Sequence, residues 1–162
     1  MTATRRAASF FVVAALVALA GTVGGARADD LQICHDQSGD VAIAACTRAI
    51  ESGRLSKRNL AVAYTSRGVE WRAKGEVDRA IVDHGEAIRT DRTVPEAWYN
   101  RGNAYRQKGE LDRAIKDYTE AIHLRPSDPS FFTNRGLTYQ DKGDKAHASA
   151  DFAAAERLKK KR

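Results

Sequence analysis

The same residues return every 34 positions, and no other feature narrows the possible folds as much. Arg67-Gly68, Arg101-Gly102 and Arg135-Gly136 keep that interval, as do Lys74-Gly75, Lys108-Gly109 and Lys142-Gly143. So do Ala80, Ala114 and Ala148, and then Ala87, Ala121 and Ala155. An aromatic residue follows each Arg-Gly, at Trp71, Tyr105 and Tyr139. A repeat of this length marks one supersecondary unit that cannot bury its apolar face alone and must stack on copies of itself.

Each unit divides at its second glycine. Before it, small and aromatic residues share one helical face. After it, the first two units read Ala-Ile-x5-Ala-Ile, and the interval between Ala80-Ile81 and Ala87-Ile88 keeps both pairs on one side of a helix. The dividing glycine can end a helix in a left-handed turn because it has no Cβ. The glycine after each arginine lets two helices approach closely. The units therefore read as antiparallel helix pairs over 61–94, 95–128 and 129–162. A further fragment, AIAACTRAI at 42–50, has the same spacing and predicts a truncated pair over 29–60, its first helix cut to 31–37. Ile50 and Ile88 stand 38 apart rather than 34. The four extra residues amount to about one helical turn, placed at the start of the next helix with Ser56 as its N-cap.

These residues resemble the tetratricopeptide repeat family. The likeness rests on Tyr64, Gly68, Trp71, Ala80, His84 and Ala87 in the first full unit. It continues through Trp98, Gly102, Tyr105, Ala114, Tyr118, Ala121 and Pro126, then Phe132, Gly136, Tyr139, Ala148, Phe152 and Ala155. It implies an all-α, right-handed solenoid of about three and a half repeats, with first helices lining a concave groove. By position in the repeat, the groove residues are Thr65, Val69 and Arg72, then Tyr99, Asn100, Asn103 and Arg106, then Thr133, Asn134, Leu137 and Gln140. Some members grip a terminal carboxylate; the corresponding places here hold Thr65, Val69, Asn100, Ser130 and Asn134, and only Asn100 suits that task. All three units depart from the family by placing Arg, not Leu, before the first glycine.

Those arginines have a matched set of acids. Asp83, Asp117 and Asp151 follow Arg67, Arg101 and Arg135 by 16 residues, the step from the first helix of a pair to the second. Charge-assisted pairs within each hairpin or to its neighbour are expected; the alternative is a row of arginines for an acidic partner. Cys46 holds the place of His84, Tyr118 and Phe152, which face their partner helix, and Cys34 lies on that short partner. A Cys34–Cys46 disulfide is expected, against the alternative of two buried free thiols.

The N-terminus reads as a secretory signal peptide: Arg5 and Arg6, an apolar stretch over 9–20, and Ala26-Arg27-Ala28 before the acidic Asp29 and Asp30. A retained membrane anchor is the alternative. Cleavage after Ala28 removes three arginines and no acid, so the net charge falls from +6 to +3. That is not a nucleic-acid-binding balance, and the implied location is the bacterial periplasm or outside the cell, where disulfides persist. At the other end Lys145, Ser149 and Glu156 replace the apolar residues of earlier units, as a terminal cap requires. The stack is expected to finish there, with no helix after Arg162.

Catalysis finds no support in the pattern. His35, His84, His123 and His147 do not fall at metal-ligand spacing, and the glycines follow the repeat rather than a phosphate loop. No cofactor, metal or catalytic residue is expected. The sequence points to a non-catalytic module binding a peptide or helix of another protein. The alternative is an envelope assembly factor that touches anionic lipid or glycan through the basic tail of ERLKKKR.

Overall fold

The computed structural model describes residues 29–161. The segment read as a signal peptide and the terminal Arg162 lie outside the described residues. Among the described residues there are eight α-helices and no strand: α1 (Asp30–Asp36), α2 (Gly39–Glu51), α3 (Lys57–Ala73), α4 (Val77–Thr90), α5 (Pro95–Gln107), α6 (Leu111–Leu124), α7 (Pro129–Asp141) and α8 (Lys145–Lys159). None is long and apolar enough to cross a membrane.

Local chemistry fixes the helix ends. Pro95 and Pro129 open α5 and α7, where a missing N–H costs nothing. The Ser56 side chain accepts from Asn59 N–H at 3.2 Å and starts α3. That helix has 17 residues against 13 in α5, so the extra turn of the longer spacing lengthens its N-terminal end. Gly109 closes α5 at φ 78°, and Glu110 N–H reaches back to Tyr105 O at 2.9 Å. Such a left-handed residue satisfies the last carbonyls of a helix.

Consecutive helices pack in order, α1 on α2 through α7 on α8, and α3, α5 and α7 also touch in series. The close approach inside each pair depends on Gly68, Gly102 and Gly136. A Cβ on these would stand 2.6 Å from His84 Cε1, 2.9 Å from Tyr118 Cε1 and 2.9 Å from Phe152 Cε1, respectively. A ring of each second helix thus rests on bare backbone of the first. The main core joins Ala61, Ala87, Ile88, Val94, Ala97, Trp98, Ala121 and Phe131, drawn from three successive pairs. Burying a large apolar side chain contributes about 1.5–3 kcal/mol, and here that gain is shared across module boundaries.

The truncated first pair has its own small core of Cys34, Ala45, Cys46 and Ala63. Cys34 and Cys46 are disulfide-bonded, with Cα atoms 4.7 Å apart. Arg48 on α2 donates to Asp30 Oδ1 on α1 at 3.0 and 2.6 Å, a contact that sequence reading did not anticipate. At the far end Lys145, Ser149 and Glu156 are all exposed, whereas Ile88 and Ile122, which hold the place of Glu156 two repeats and one repeat earlier, are buried and half-buried.

Candidate functional site

The first helices carry the groove. Arg72 on α3, Tyr99, Asn103, Arg106 and Gln107 on α5, and Asn134 and Asp141 on α7 line a cavity of about 420 Å³. Five of these seven are among the residues that sequence position assigned to the groove. Tyr99 anchors the wall: its ring lies 4.9 Å from that of Phe131, and its hydroxyl accepts from Asn134 Nδ2 at 2.8 Å. Asn103 Oδ1 accepts from the Tyr118 hydroxyl at 2.7 Å. Burial, with Tyr99 alongside, pushes the Tyr118 phenol above its ordinary range, so it stays a neutral donor. Arg106 Nε donates to Asp141 Oδ2 at 2.8 Å, joining α5 to α7.

The other expected groove residues fall elsewhere. Thr65 is a correction: it is buried, 7% exposed, and its hydroxyl donates to Ala61 O at 2.8 Å. Ala61, the residue it bonds, is itself fully buried in the core shared with α4 and α5. Thr133 likewise donates to its own helix, at Pro129 O, 2.9 Å away. Val69, Asn100 and Leu137 are half-buried and Gln140 is exposed, and none of them lines the cavity. Gln107 and Asp141 were missed. They stand 34 apart, one place after Arg106 and Gln140, so the repeat itself carried the signal.

The arginine ladder lies within each pair, and none of its members lines the groove cavity. Arg67 meets Asp83 through Nε and Nη2 at 2.8 Å each. Arg101 meets Asp117 at 2.7 and 2.9 Å, and Arg135 meets Asp151 at 2.8 Å twice. The three carboxylates are buried, at 5%, 2% and 6% exposure. The Asp83 bond raises the Arg67 pKa and the Asp151 bond that of Arg135; for Arg101 burial is the largest effect and opposes the charge, but the bond to Asp117 together with the Asp117 charge and nearby Tyr105 still leaves its pKa raised. Two of the arginines also reach the preceding pair, where Thr47 accepts from Arg67 and Thr119 from Arg135, both at 3.0 Å. Arg101 instead faces Gly85. The ladder therefore holds helices together, and its guanidiniums are committed to acids of this chain.

Comparison with known proteins agrees with this geometry. Family models described as TPR repeat or tetratricopeptide repeat match residues 85–116, 102–143 and 129–162, which together run without a break from Gly85. The chain is a tetratricopeptide-repeat protein. A crystal structure of MamA superposes with a TM-score of 0.67 at 26% identity, over 75% of this chain and 68% of that one. A second MamA structure gives 0.66 at 28% identity, over 74% and 63%. This tetratricopeptide-repeat chain thus spans about two thirds of the length of the MamA chains. The second TPR of Spaghetti (RPAP3), bound to the HSP90 peptide SRMEEVD, gives 0.60 at 27% identity, over 68% of this chain and 97% of that domain. None of the curated proteins compared with the chain matches it.

A second ladder links the tetratricopeptide repeats to one another. Lys108 in the turn of one repeat binds Asp78 at the start of the preceding second helix, at 2.6 Å, and Lys74–Asp40 and Lys142–Asp112 repeat the contact. Its signal was present in sequence, since Asp78 and Asp112 keep the 34-residue interval and precede their lysines by 30. Among the described residues no group of three or more His, Cys, Asp or Glu could hold a metal ion.

Proposed function

We propose that this tetratricopeptide-repeat protein is a non-catalytic interaction module of the bacterial periplasm, whose groove takes a peptide or helix of another protein. One observation carries the reading: three successive first helices bring Arg72, then Tyr99, Asn103, Arg106 and Gln107, then Asn134, to one cavity of about 420 Å³. Asn103 uses its carbonyl on Tyr118 and keeps its amide N–H groups for an extended backbone. The structurally similar RPAP3 domain holds a peptide, which supports the same use here. The leader-like residues 1–28 and the Cys34–Cys46 bond support an oxidising, exported location. The alternative contact with anionic lipid or glycan through the basic tail draws less support, because Lys159 binds Glu156 at 2.8 Å.

The test is photocrosslinking in living cells from Asn103, with exposed Val82 as the control position. One partner captured from Asn103 and absent from Val82 is the expected result. Equal capture from both positions, or none from Asn103, would refute groove binding.

A further inference from the structure

The groove holds a cation that the fold has left without an acid. Six arginines among the described residues are half-buried: Arg67, Arg72, Arg101, Arg106, Arg125 and Arg135. Five are ion-paired, with Asp83, Asp117, Asp141, Glu96 and Asp151. Among the described residues Arg72 has no acid partner, and its Nε is buried with no hydrogen bond. Leaving a charged donor unmatched in a buried place is unfavourable, so its position on the cavity wall needs a reason.

The surroundings supply one. Arg72 and Arg106 bring two positive charges to the cavity, and Asp141, bonded to Arg106 Nε, brings the single negative one. Beside Arg72, His84 is fully buried and held neutral, its pKa brought down to about 3 by burial and by the charges of Arg72 and Arg101. It adds no charge and, at its seat, makes no bond to Arg72. Asn103, one turn before Gln107 on α5, offers amide N–H donors to the same space.

We propose that Arg72 and Asn103 form a seat for an acidic side chain, aspartate or glutamate, within the segment the groove binds. This rests on the groove reading above and specifies its ligand. A carboxylate accepts from planar guanidinium and amide donors at once, and charge-assisted bonds of this type are about twice as strong as neutral ones. The source is a side chain rather than a chain end, because the cavity is walled by three successive helices and is open along the groove. A segment can therefore enter past α3 and leave past α7.

The experiment selects short peptides from a phage-displayed library on the folded, disulfide-bonded chain. A photoreactive residue at exposed Gln107 reports which selected peptides occupy the groove. The expected peptides carry Asp or Glu at one fixed place, and a Glu-to-Gln change in the peptide weakens binding about ten- to a hundredfold. On Arg72→Gln protein, checked for folding by its thermal melt, that same peptide change makes no difference. Amidating the peptide C-terminus also makes none. Groove-bound peptides lacking any acidic preference overturn the seat and leave the groove reading standing. A loss on amidation overturns the assignment to a side chain. If no peptide crosslinks from Gln107, the groove reading and the seat both fall.

Discussion

His84 occupies a seat that its own neighbours show to be made for a six-membered ring. It lies over Gly68 as Tyr118 lies over Gly102 and Phe152 over Gly136. It is fully buried, and neither ring nitrogen has a partner. In His84→Phe the unmatched donor and acceptor disappear, a gain of about 1–3 kcal/mol, offset by about 1 kcal/mol for the larger ring. The pH dependence is the sharper part. Burial, then Arg72 and Arg101, hold the folded pKa at about 3, while the unfolded value is 6.5. Above pH 6.5 the imidazole is neutral in both states and the stability is complete. As the pH falls, the unfolded chain takes up a proton that the folded one refuses, so stability drains away until about pH 3. At pH 5 the deficit is about 2 kcal/mol, from roughly 1.4 kcal/mol per unit over about one and a half units. Urea unfolding followed by circular dichroism at pH 7.5 and pH 5 measures it. The advantage of His84→Phe over the native chain should widen by about 2 kcal/mol at the lower pH. An advantage unchanged between the two conditions would sink the reasoning, because it would mean that the buried ring protonates freely.

Four further outcomes follow from other contacts. Asp117→Ala strands the Arg101 guanidinium, which is 20% exposed, and should lower stability by about 3 kcal/mol in urea; Lys108→Ala, at an exposed pair, should leave the midpoint almost unchanged. Gly102→Ala drives a Cβ to 2.9 Å from the Tyr118 ring, which its bond to Asn103 holds in place, and should cost about 1–3 kcal/mol. Gly85→Thr places a Cβ in ordinary contact, 3.9 Å from Arg101 Nη1, and supplies the hydroxyl that Thr47 and Thr119 give their arginines, so it should stabilise by about 1 kcal/mol. Reducing Cys34–Cys46 releases a loop of sequence separation 12 and should cost about 3 kcal/mol. Hydrogen exchange should then show the new protection loss in α1 and α2, and a loss spread evenly over all helices would contradict a local staple.

The architecture was legible because a repeat states its constraint several times. One Arg-Gly pair is noise, but three at a common interval, each with an acid 16 residues on, defined both the hairpin and the bonds across it. The groove was harder to read. Repeat position alone placed Thr65 and Arg72 alike on the inner face, yet Thr65 is buried and bonded to its own helix at Ala61 O, while Arg72 stands on the cavity wall. The Arg48–Asp30 pair was invisible for the opposite reason: the truncated pair reverses the usual order, with the acid on the first helix, and the described residues hold no second copy of it. Its two cysteines were readable only through the register with His84, Tyr118 and Phe152.

The arginine before each first glycine answers a problem that the glycine creates. Around the one ring seated on each first glycine, the pairs meet through small side chains such as Ala80 and Ala87, and such surfaces resist sliding weakly because few knobs fill few holes. A one-residue slip along a helix moves its groups by about 1.5 Å, which a smooth Ala–Gly contact tolerates. A bidentate Arg–Asp bond does not. With Nε and Nη2 both at 2.7–2.9 Å in Arg101–Asp117, the slip breaks both bonds and leaves a buried carboxylate unmatched. A leucine at that place would supply more apolar burial but no penalty for the wrong register. The three Arg–Asp pairs of the ladder therefore set alignment more than they add net stability. That alignment is what brings Arg72, Asn103 and Asn134, from three separate repeats, to a single cavity.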